Sequence, residues 1–566
     1  MKILTPLSSI ACLVFLLCQS YTVIAQTENV SKPTKAAVAS AHYLATQAGH
    51  EVLAAGGNAF DAAVAVSAAL AVVEPSSSGL GGGAFWMLNR VADDHQVMID
   101  GRETAPGAAH RDMYLNEDGE VNRELAINGP LAAGIPGHAA GMVHIAEKYG
   151  RLPLSESLKP AIRIATEGFP VDEKYNALMT FRAETIRRWP AATAVLLDNG
   201  ETPEIGYIVK LPEIANTLRL IAEKGFDGFY KGETADKLVK GVRDAGGIWT
   251  HDDLANYRIA EREPTRTTYK GYELVTAPPP SSGGVAIAEI LNIVEPYNIE
   301  QLDSVKRVHL LAEAMRRAYR DRSIYLGDPD FFDVPTRLLT SRDYAAGLRS
   351  SIRLDKATSS DNLAGFEDSP KGTDTTHFSL IDNEGNMVAA TLTVNIPYGS
   401  AFMAPGTGFL LNNEMDDFSA KAGSPNAYGL LGYSANAIEP GKRMLSSMTP
   451  TFVLGEDRVA VIGTPGGSRI ITMVLLGILD FMDGNDDPVS WVSLPRIHHQ
   501  FQPDEISAEP NALTAEEIAG LEALGHTVSV RDRTWGNMHG VMLNKKTGEV
   551  KAGSDPRWPS GRAIVK

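Results

Sequence analysis

Cysteine is nearly missing from this chain. Its 566 residues hold two, Cys12 and Cys18, both close to the N-terminus. The chain beyond that stretch can form no disulfide, no thiolate metal site and no cysteine nucleophile. The H-E-x-x-H spacing of a zinc protease does not occur, and the adjacent His498-His499 pair cannot share one helical face, so it reads as structural. No G-x-S-x-G nucleophile elbow occurs either. The run Gly79-Leu80-Gly81-Gly82-Gly83-Ala84 fits G-x-G-x-x-A in letters only. A long Ala-rich helix precedes it and a strand comes after it, the reverse of the order that a dinucleotide site needs. Basic excess is lacking too: the net charge of −17 argues against nucleic acid and anionic membranes as partners. Beyond the N-terminus no apolar run is long enough to span a bilayer.

What is present begins with the pattern of an export signal. Lys2 supplies a positive n-region, Ile10 to Cys18 an apolar core, and Val23-Ile24-Ala25 small residues for a signal peptidase. Leu17 stands before Cys18 where a lipoprotein signal would want a small residue. Residues 1–25 therefore read as a signal peptide, and the rest as a periplasmic or secreted protein. At 44% hydrophobic and 21% charged, the remainder is an ordinary globular chain with enough length for several domains or one large layered unit.

Periodicity predicts helices at 36–55, at 59–73 with Asn58 as N-cap, and at 152–168, 210–224, 233–243 and 304–322, with a further helix closing 276–295 after a proline stop and a Ser/Gly turn. A glycine loop at 79–83 leads into a strand, "AFWML". After Thr375 the pattern turns to strands, at 377–382 and 387–395 about the turn "DNEGN", then at 408–412, 451–455 and 459–463. Helices are expected at 468–482 and 515–524. Helices first and strands later imply packed layers, with the second part central.

Six segments could carry chemistry, and each has a plainer alternative. "DTTHFSL" (374–380) opens a strand with Thr375-Thr376 after a stretch without pattern; threonine simply favours strands, or one of the pair is a nucleophile that becomes a chain end. In "MVAATLTVN" (387–395), Thr391, Thr393 and Asn395 share one face of a strand, which is either a site or an ordinary half-exposed face. "LLNNEMDDFS" (410–419) is a solvated acidic turn or a cradle for an ammonium group. "RMLSSMTPT" (443–451) offers Ser446 and Ser447 to a carboxylate, or merely caps a turn. In "GTPGGSR" (463–469), Gly466 and Gly467 leave N–H groups open to an anion, or form a plain turn. "DGRETAP" (100–106) offers Arg102 for bidentate capture of a carboxylate, or for a surface ion pair with Asp100 or Glu103.

Taken in order, these segments together with "GGNAFDAAVAVSAALAVVEP", "GLGGGAF" and "PPPSSGG" resemble the γ-glutamyltransferase (γ-glutamyl transpeptidase) family of the N-terminal nucleophile hydrolase superfamily, from about residue 36 to 560. The resemblance implies an α+β fold, a four-layer αββα sandwich. It implies a precursor that cuts its own Asp374–Thr375 bond into a large subunit, 26–374, and a small one, 375–566, which stay together as a heterodimer. Thr375 would attack the γ-carbonyl of glutathione or another γ-glutamyl amide, with Thr393 orienting it and Gly466 and Gly467 holding the oxyanion. Arg102, Ser446 and Ser447 would bind the donor α-carboxylate; Asn395, Glu414 and Asp417 would bind its α-ammonium. Water, an amino acid or a dipeptide would accept the γ-glutamyl group. No cofactor and no metal are implied.

Glu414 stands where the family takes Glu or Gln, and Gly101 where many members have a bulkier residue. A cephalosporin (glutaryl) acylase of the same superfamily is the nearest alternative, but its substrate lacks the α-ammonium group. "KAGSPNAYGLLGY" (421–433) also matches a lid over the pocket, carrying Tyr428. A non-catalytic exported binding protein is a further alternative, one expected to have lost Thr375 or the glycine pair.

Overall fold

A computed structural model describes residues 31–363 and 375–566. The expected signal peptide, both cysteines and Asp374 lie outside the described residues.

The strands that build the two large sheets are, in chain order, β1 (Ala37–Ser40), β2 (Gly83–Arg90), β3 (His95–Gly101), β4 (Ala260–Arg262), β5 (Thr265–Tyr269), β6 (Tyr272–Thr276), β7 (Thr376–Ile381), β8 (Met387–Thr393), β9 (Thr451–Leu454), β10 (Arg458–Gly463), β11 (His539–Asn544), β12 (Val550–Ser554) and β13 (Arg562–Val565). One sheet runs β13-β1-β7-β8-β2-β3-β4 and the other β12-β11-β10-β9-β6-β5, antiparallel throughout. The helices that pack on these sheets and support the site include α1 (Tyr43–Ala54), α2 (Ala59–Val73), α3 (His138–Tyr149), α4 (Glu173–Ile186), α5 (Gly283–Val294), α6 (Ser304–Tyr325) and α7 (Ile470–Met482).

Side-chain alternation explains the layering. Ala84, Trp86 and Leu88 of β2 and Val388, Ala390 and Leu392 of β8 join a core with α2 and α3. Phe85, Met87 and Ala389, one step out of phase, join a second core with β6, β9, β10 and helices α5, α6 and α7. The first sheet is thus covered by helices on one face and by the second sheet on the other. The order is helix, sheet, sheet, helix, as the family resemblance implied. No helix of the described residues is long and apolar enough to cross a membrane.

Local signals set several boundaries. The Asn58 side chain accepts the Phe60 and Asp61 N–H groups, and Asp61 returns a bond to the Asn58 N–H, so α2 starts on a capping box. The β7–β8 turn is held by Asp382, whose carboxylate takes the Glu384 and Asn386 N–H groups and also that of Ala59 at the start of α2.

Four expectations fail. Residues 36–55 are not one helix: β1 comes first, and His42 caps α1 by accepting the Leu44 N–H at 3.2 Å. Pairing of β1 with both β13 and β7 overrides the helical preference of its alanines. Residues 408–412 form no strand and make only a bridge, Gly81 to Leu411. The sheets do not come from the later part alone: the first part is mostly helical as expected, yet β1 to β6 precede Thr375 and serve both sheets. Finally, β8 is buried along its whole length, so it has no half-exposed face.

Candidate active site

Strand register delivers the threonine. In the β7–β8 pair, Thr376 lies opposite Leu392 and His377 opposite Thr391. One more step of that register sets Thr375 opposite Thr393, and such cross-strand neighbours have Cβ atoms about 4.5–5.5 Å apart. Alternation turns Thr375 and His377 toward the second sheet and Thr376, with Phe378 and Leu380, toward the helices. The His377 imidazole bonds the hydroxyls of Thr391 (2.8 Å) and Ser379 (3.1 Å), and Ser379 donates to the His539 carbonyl of β11 (3.1 Å). Gly463 of β10 leaves room for the ring, since a Cβ there would sit 2.2 Å from its Cε1. Burial, aided by His539, holds the imidazole pKa well below its usual value. His377 therefore ties the two sheets together as a neutral group.

Asn395 does not reach the site by strand alternation, as its spacing suggests. The ladder ends at Thr393, and Asn395 takes φ +77°, a left-handed conformation that asparagine tolerates better than most residues. Its N–H donates to the Thr393 hydroxyl (2.8 Å) and its side-chain amide to the Asn413 carbonyl (2.9 Å).

Arg102 directly follows β3 and is only 1% exposed, so it makes no surface ion pair. Its guanidinium donates to Glu414 (2.7 Å), Asp417 (2.6 Å) and the Met444 carbonyl (3.2 Å). Burial opposes its charge, but Glu414, Asp417 and Glu103 outweigh that and hold its pKa above the ordinary value. The acidic turn is not solvated either, because Glu414 and Asp416 are buried. Burial drives the Glu414 pKa well up against the pull of Arg102, with Glu103 and Asp417 adding repulsion. Gly101 does not loosen the arginine: a Cβ there would lie 2.8 Å from the Trp86 ring, so glycine lets β3 pack tightly in front of it.

Ser446 is fixed through its backbone, N–H to the Pro280 carbonyl (2.8 Å) and carbonyl to the Ser282 hydroxyl (2.7 Å). The "PPPSSGG" stretch is thus the support behind the serine pair. Gly466 and Gly467 precede the first intrahelical bond of a 3₁₀ turn that leads into α7, so their N–H groups fall at its open end. Both need glycine. Gly467 has φ +57°, and a Cβ there would lie 2.4 Å from the Tyr428 ring; Gly466 has φ +144°, and a Cβ there would lie 2.4 Å from Met473 Cε. Tyr428 closes over this turn and donates to the Asn395 carbonyl at 2.5 Å. The 421–433 segment, expected from sequence to be a lid, is fastened to the acidic turn, Ala427 N–H to Asp416 (2.8 Å) and the Asn426 amide to Asp417 (2.9 Å).

These pieces meet in one cleft. Arg102, Thr375, Thr393, Asn395, Glu414, Asp417, Tyr428, Ser446, Ser447 and Gly467 all line it; Gly466 sits one residue behind the lining. Sequence reasoning offered Glu103 to Arg102 only as a surface partner, and it missed Arg322. Glu103 lies 3.6 Å from Arg102 with both carboxylate oxygens lacking a hydrogen-bond partner among the described residues. Burial, opposed by Arg102, pushes its pKa up to about 8. Arg322 of α6 donates to Ser447 (3.3 Å) and Ser282 (3.0 Å). Nothing in "RRAYRDRS" singles Arg322 out from the three other arginines there.

Elsewhere, His309, Glu313 and His526 bring three possible metal-ligand atoms within 4.8 Å of one another. Arg316 and Arg317 already hold the Glu313 carboxylate, and two guanidiniums beside it make a poor cation site.

The chain matches the family model described as Gamma-glutamyltranspeptidase over residues 45–565. A glutathione hydrolase proenzyme of Pseudomonas sp. (strain A14) is 45% identical over 492 residues, 86% of this chain and 85% of the relative. Among solved structures, a cephalosporin acylase from Bacillus halodurans superimposes with a TM-score of 0.83 at 28% identity, covering 97% of this chain and 99% of its own. A Helicobacter pylori gamma-glutamyltranspeptidase chain gives 0.55 at 36% identity, covering 58% of this chain and 93% of its own. With a matching family model across nearly its whole length, a cleft assembled from that family's motifs and a shared sandwich fold, this chain belongs to the gamma-glutamyltranspeptidase family.

Proposed function

We propose that this protein transfers or hydrolyses the γ-glutamyl group of glutathione and related γ-glutamyl amides, through an ester on Thr375. The observation that carries the reading is the charge arrangement of the cleft. Arg102 stands against Glu414 and Asp417, with Ser446 and Ser447 beside it. A donor bearing a free amino-acid end brings the same two opposite charges. Its α-carboxylate takes Arg102 and the serines, and its α-ammonium takes the acids and Asn395. Exchanging one paired set for another keeps buried charges compensated, which an uncharged amide could not do.

The chemistry rests on a chain end. A threonine hydroxyl needs a base. Cutting Asp374–Thr375 supplies one, a free α-amine with a reference pKa of about 7.7–8.0. The Thr375 oxygen attacks the γ-carbonyl carbon and its proton passes to that amine. The oxyanion lies at the Gly466 and Gly467 N–H groups, a contribution of roughly 10²–10³ in rate per donor. Collapse breaks the C–N bond, and the leaving amine takes the proton back. Water or an acceptor amine then opens the ester by the same steps in reverse.

Two subunits, 26–374 and 375–566, and export through residues 1–25 belong to the same reading. The division into subunits is supported by a solved relative's chain that is 93% covered while matching only 58% of this one.

The cephalosporin acylase neighbour favours a second reading, glutaryl transfer. A glutaryl group has no ammonium to pair with Glu414 and Asp417. Hydrolysis of γ-glutamyl and glutaryl anilides by the purified protein separates the two. A preference for the γ-glutamyl compound, with a γ-glutamyl adduct on a peptide starting at Thr375, supports the proposal; a preference for the glutaryl compound sinks it.

A further inference from the structure

Thr375 lies one residue beyond the β7–β8 ladder, whose last pair is Thr376 and Leu392. Once the chain is cut it becomes the first residue of a chain, and chain ends fray unless tied down. A fraying nucleophile would lose its aim, and misplacement by about 1 Å can cost about 10²-fold in rate.

One tie lies a residue further on. The Thr376 side chain points away from the cleft into the helical layer, is fully buried, and donates to Glu74 Oε2 at 2.6 Å. Glu74 is the residue that ends α2, and its other oxygen takes the ammonium group of Lys174 on α4 at 2.7 Å. Both charged residues are buried, 4% and 3% exposed. Buried ion pairs add little stability over apolar packing of the same volume, so stability alone does not explain one here. What this pair offers that apolar side chains cannot is a directional, charged acceptor for a single hydroxyl. The loop that Glu74 begins runs on to Gly83, which pairs with Thr393 on the far side of β8. The same segment therefore holds both Thr376 and the strand that flanks the site.

We propose that Glu74, held by Lys174, is a positioning residue that clamps Thr376, the second residue of the mature small subunit, and thereby fixes the hydroxyl and amine of Thr375. This rests on the reading of Thr375 as the nucleophile. The donor-binding side chains are untouched by the clamp, so its loss strikes turnover and not donor binding.

The test compares Thr376→Val, Thr376→Ser and Glu74→Gln as matured two-chain enzymes on γ-glutamyl-p-nitroanilide. Thr376→Val is expected to lower kcat by roughly 10- to 100-fold with KM within about twofold. Thr376→Ser, which keeps the hydroxyl, is expected to recover most of it. Thr376→Val placed on Glu74→Gln should add little to the loss from Glu74→Gln alone. Hydrogen exchange should rise in the peptide that starts at Thr375 and nowhere else. Wild-type kcat in Thr376→Val, or a loss confined to KM, overturns the clamp. If Thr376→Val does not mature, Glu74→Gln carries the test: lowered kcat with KM kept supports the clamp, and unchanged kcat overturns it. Thr375→Ala runs alongside. Activity there would defeat the nucleophile reading itself, whereas an inactive Thr375→Ala beside a fully active Thr376→Val defeats the clamp alone.

Discussion

His377 shares a strand face with Thr375 but is spent on Thr391 and Ser379, so it is not placed to activate the threonine. If the amine of Thr375 is the base, that amine must be neutral to work. kcat/KM should then rise about tenfold per pH unit below about 7 and level off above about 8, as the amine loses its proton. A profile already flat at pH 6 would point to another base. Glu103 gives a second pH effect. Its folded pKa of about 8 lies above the ordinary 4.5, so the folded protein holds a proton that the unfolded chain releases. The resulting stabilisation is fully present below pH 4.5 and is lost as pH rises through 8. Glu103→Gln should therefore show a flatter dependence of Tm on pH, with a higher Tm than wild type at pH 9, measured by calorimetry. The Arg102–Glu103 pairing is legible from sequence as one alternative, but the burial of Glu103 and the role of Glu74 are not. Glu103 is buried beside Arg102, which is itself held by Glu414, 311 positions further on than Glu103, and Glu74 meets Thr376 302 positions away. Arg102, Thr393 and the glycine pair are legible because each sits within a local pattern that fixes its geometry.

At the scale of elements, the acidic turn and the lid act together. Asp417 holds Arg102 with one oxygen and the lid residue Asn426 with the other. Asp417→Ala should still self-cleave, since the β7–β8 ladder is untouched, yet raise donor KM by about 10- to 100-fold, the worth of a hydrogen bond to a charged group. Gels for the two subunits and donor saturation curves check it; failure to mature would make Asp417 structural. Gly467→Ala places a Cβ against Tyr428 at a left-handed position, so it should displace the lid and lower kcat by roughly 10²-fold. Steady-state kinetics of the matured variant measure it, and kcat near wild type would remove Gly467 from the oxyanion role. Element boundaries track the strength of local signals. Helix α2 is legible through Asn58 and Asp61, and the β7–β8 hairpin through "DNEGN". Strands β1 and β11 to β13 are not, because tertiary pairing and not local preference makes them strands.

At the scale of the whole molecule, the layering is readable only in outline. Periodicity announces helices and strands, but nothing local says that β1 to β6 feed the same two sheets as β7 to β13. The sandwich matters to function because it carries Thr375 from one sheet and the Gly466–Gly467 turn from the other into one cleft. Cutting before Thr375 leaves the sheet intact, since β7 stays paired with both β1 and β8. The central claim, that a backbone break gives Thr375 its base, is tested most directly by intact-mass and N-terminal sequence measurement on the protein fraction that turns over γ-glutamyl anilide. The account predicts two chains, one starting Thr-Thr-His at residue 375, and no turnover by uncut protein. Turnover by a single chain with Asp374–Thr375 still joined would contradict it.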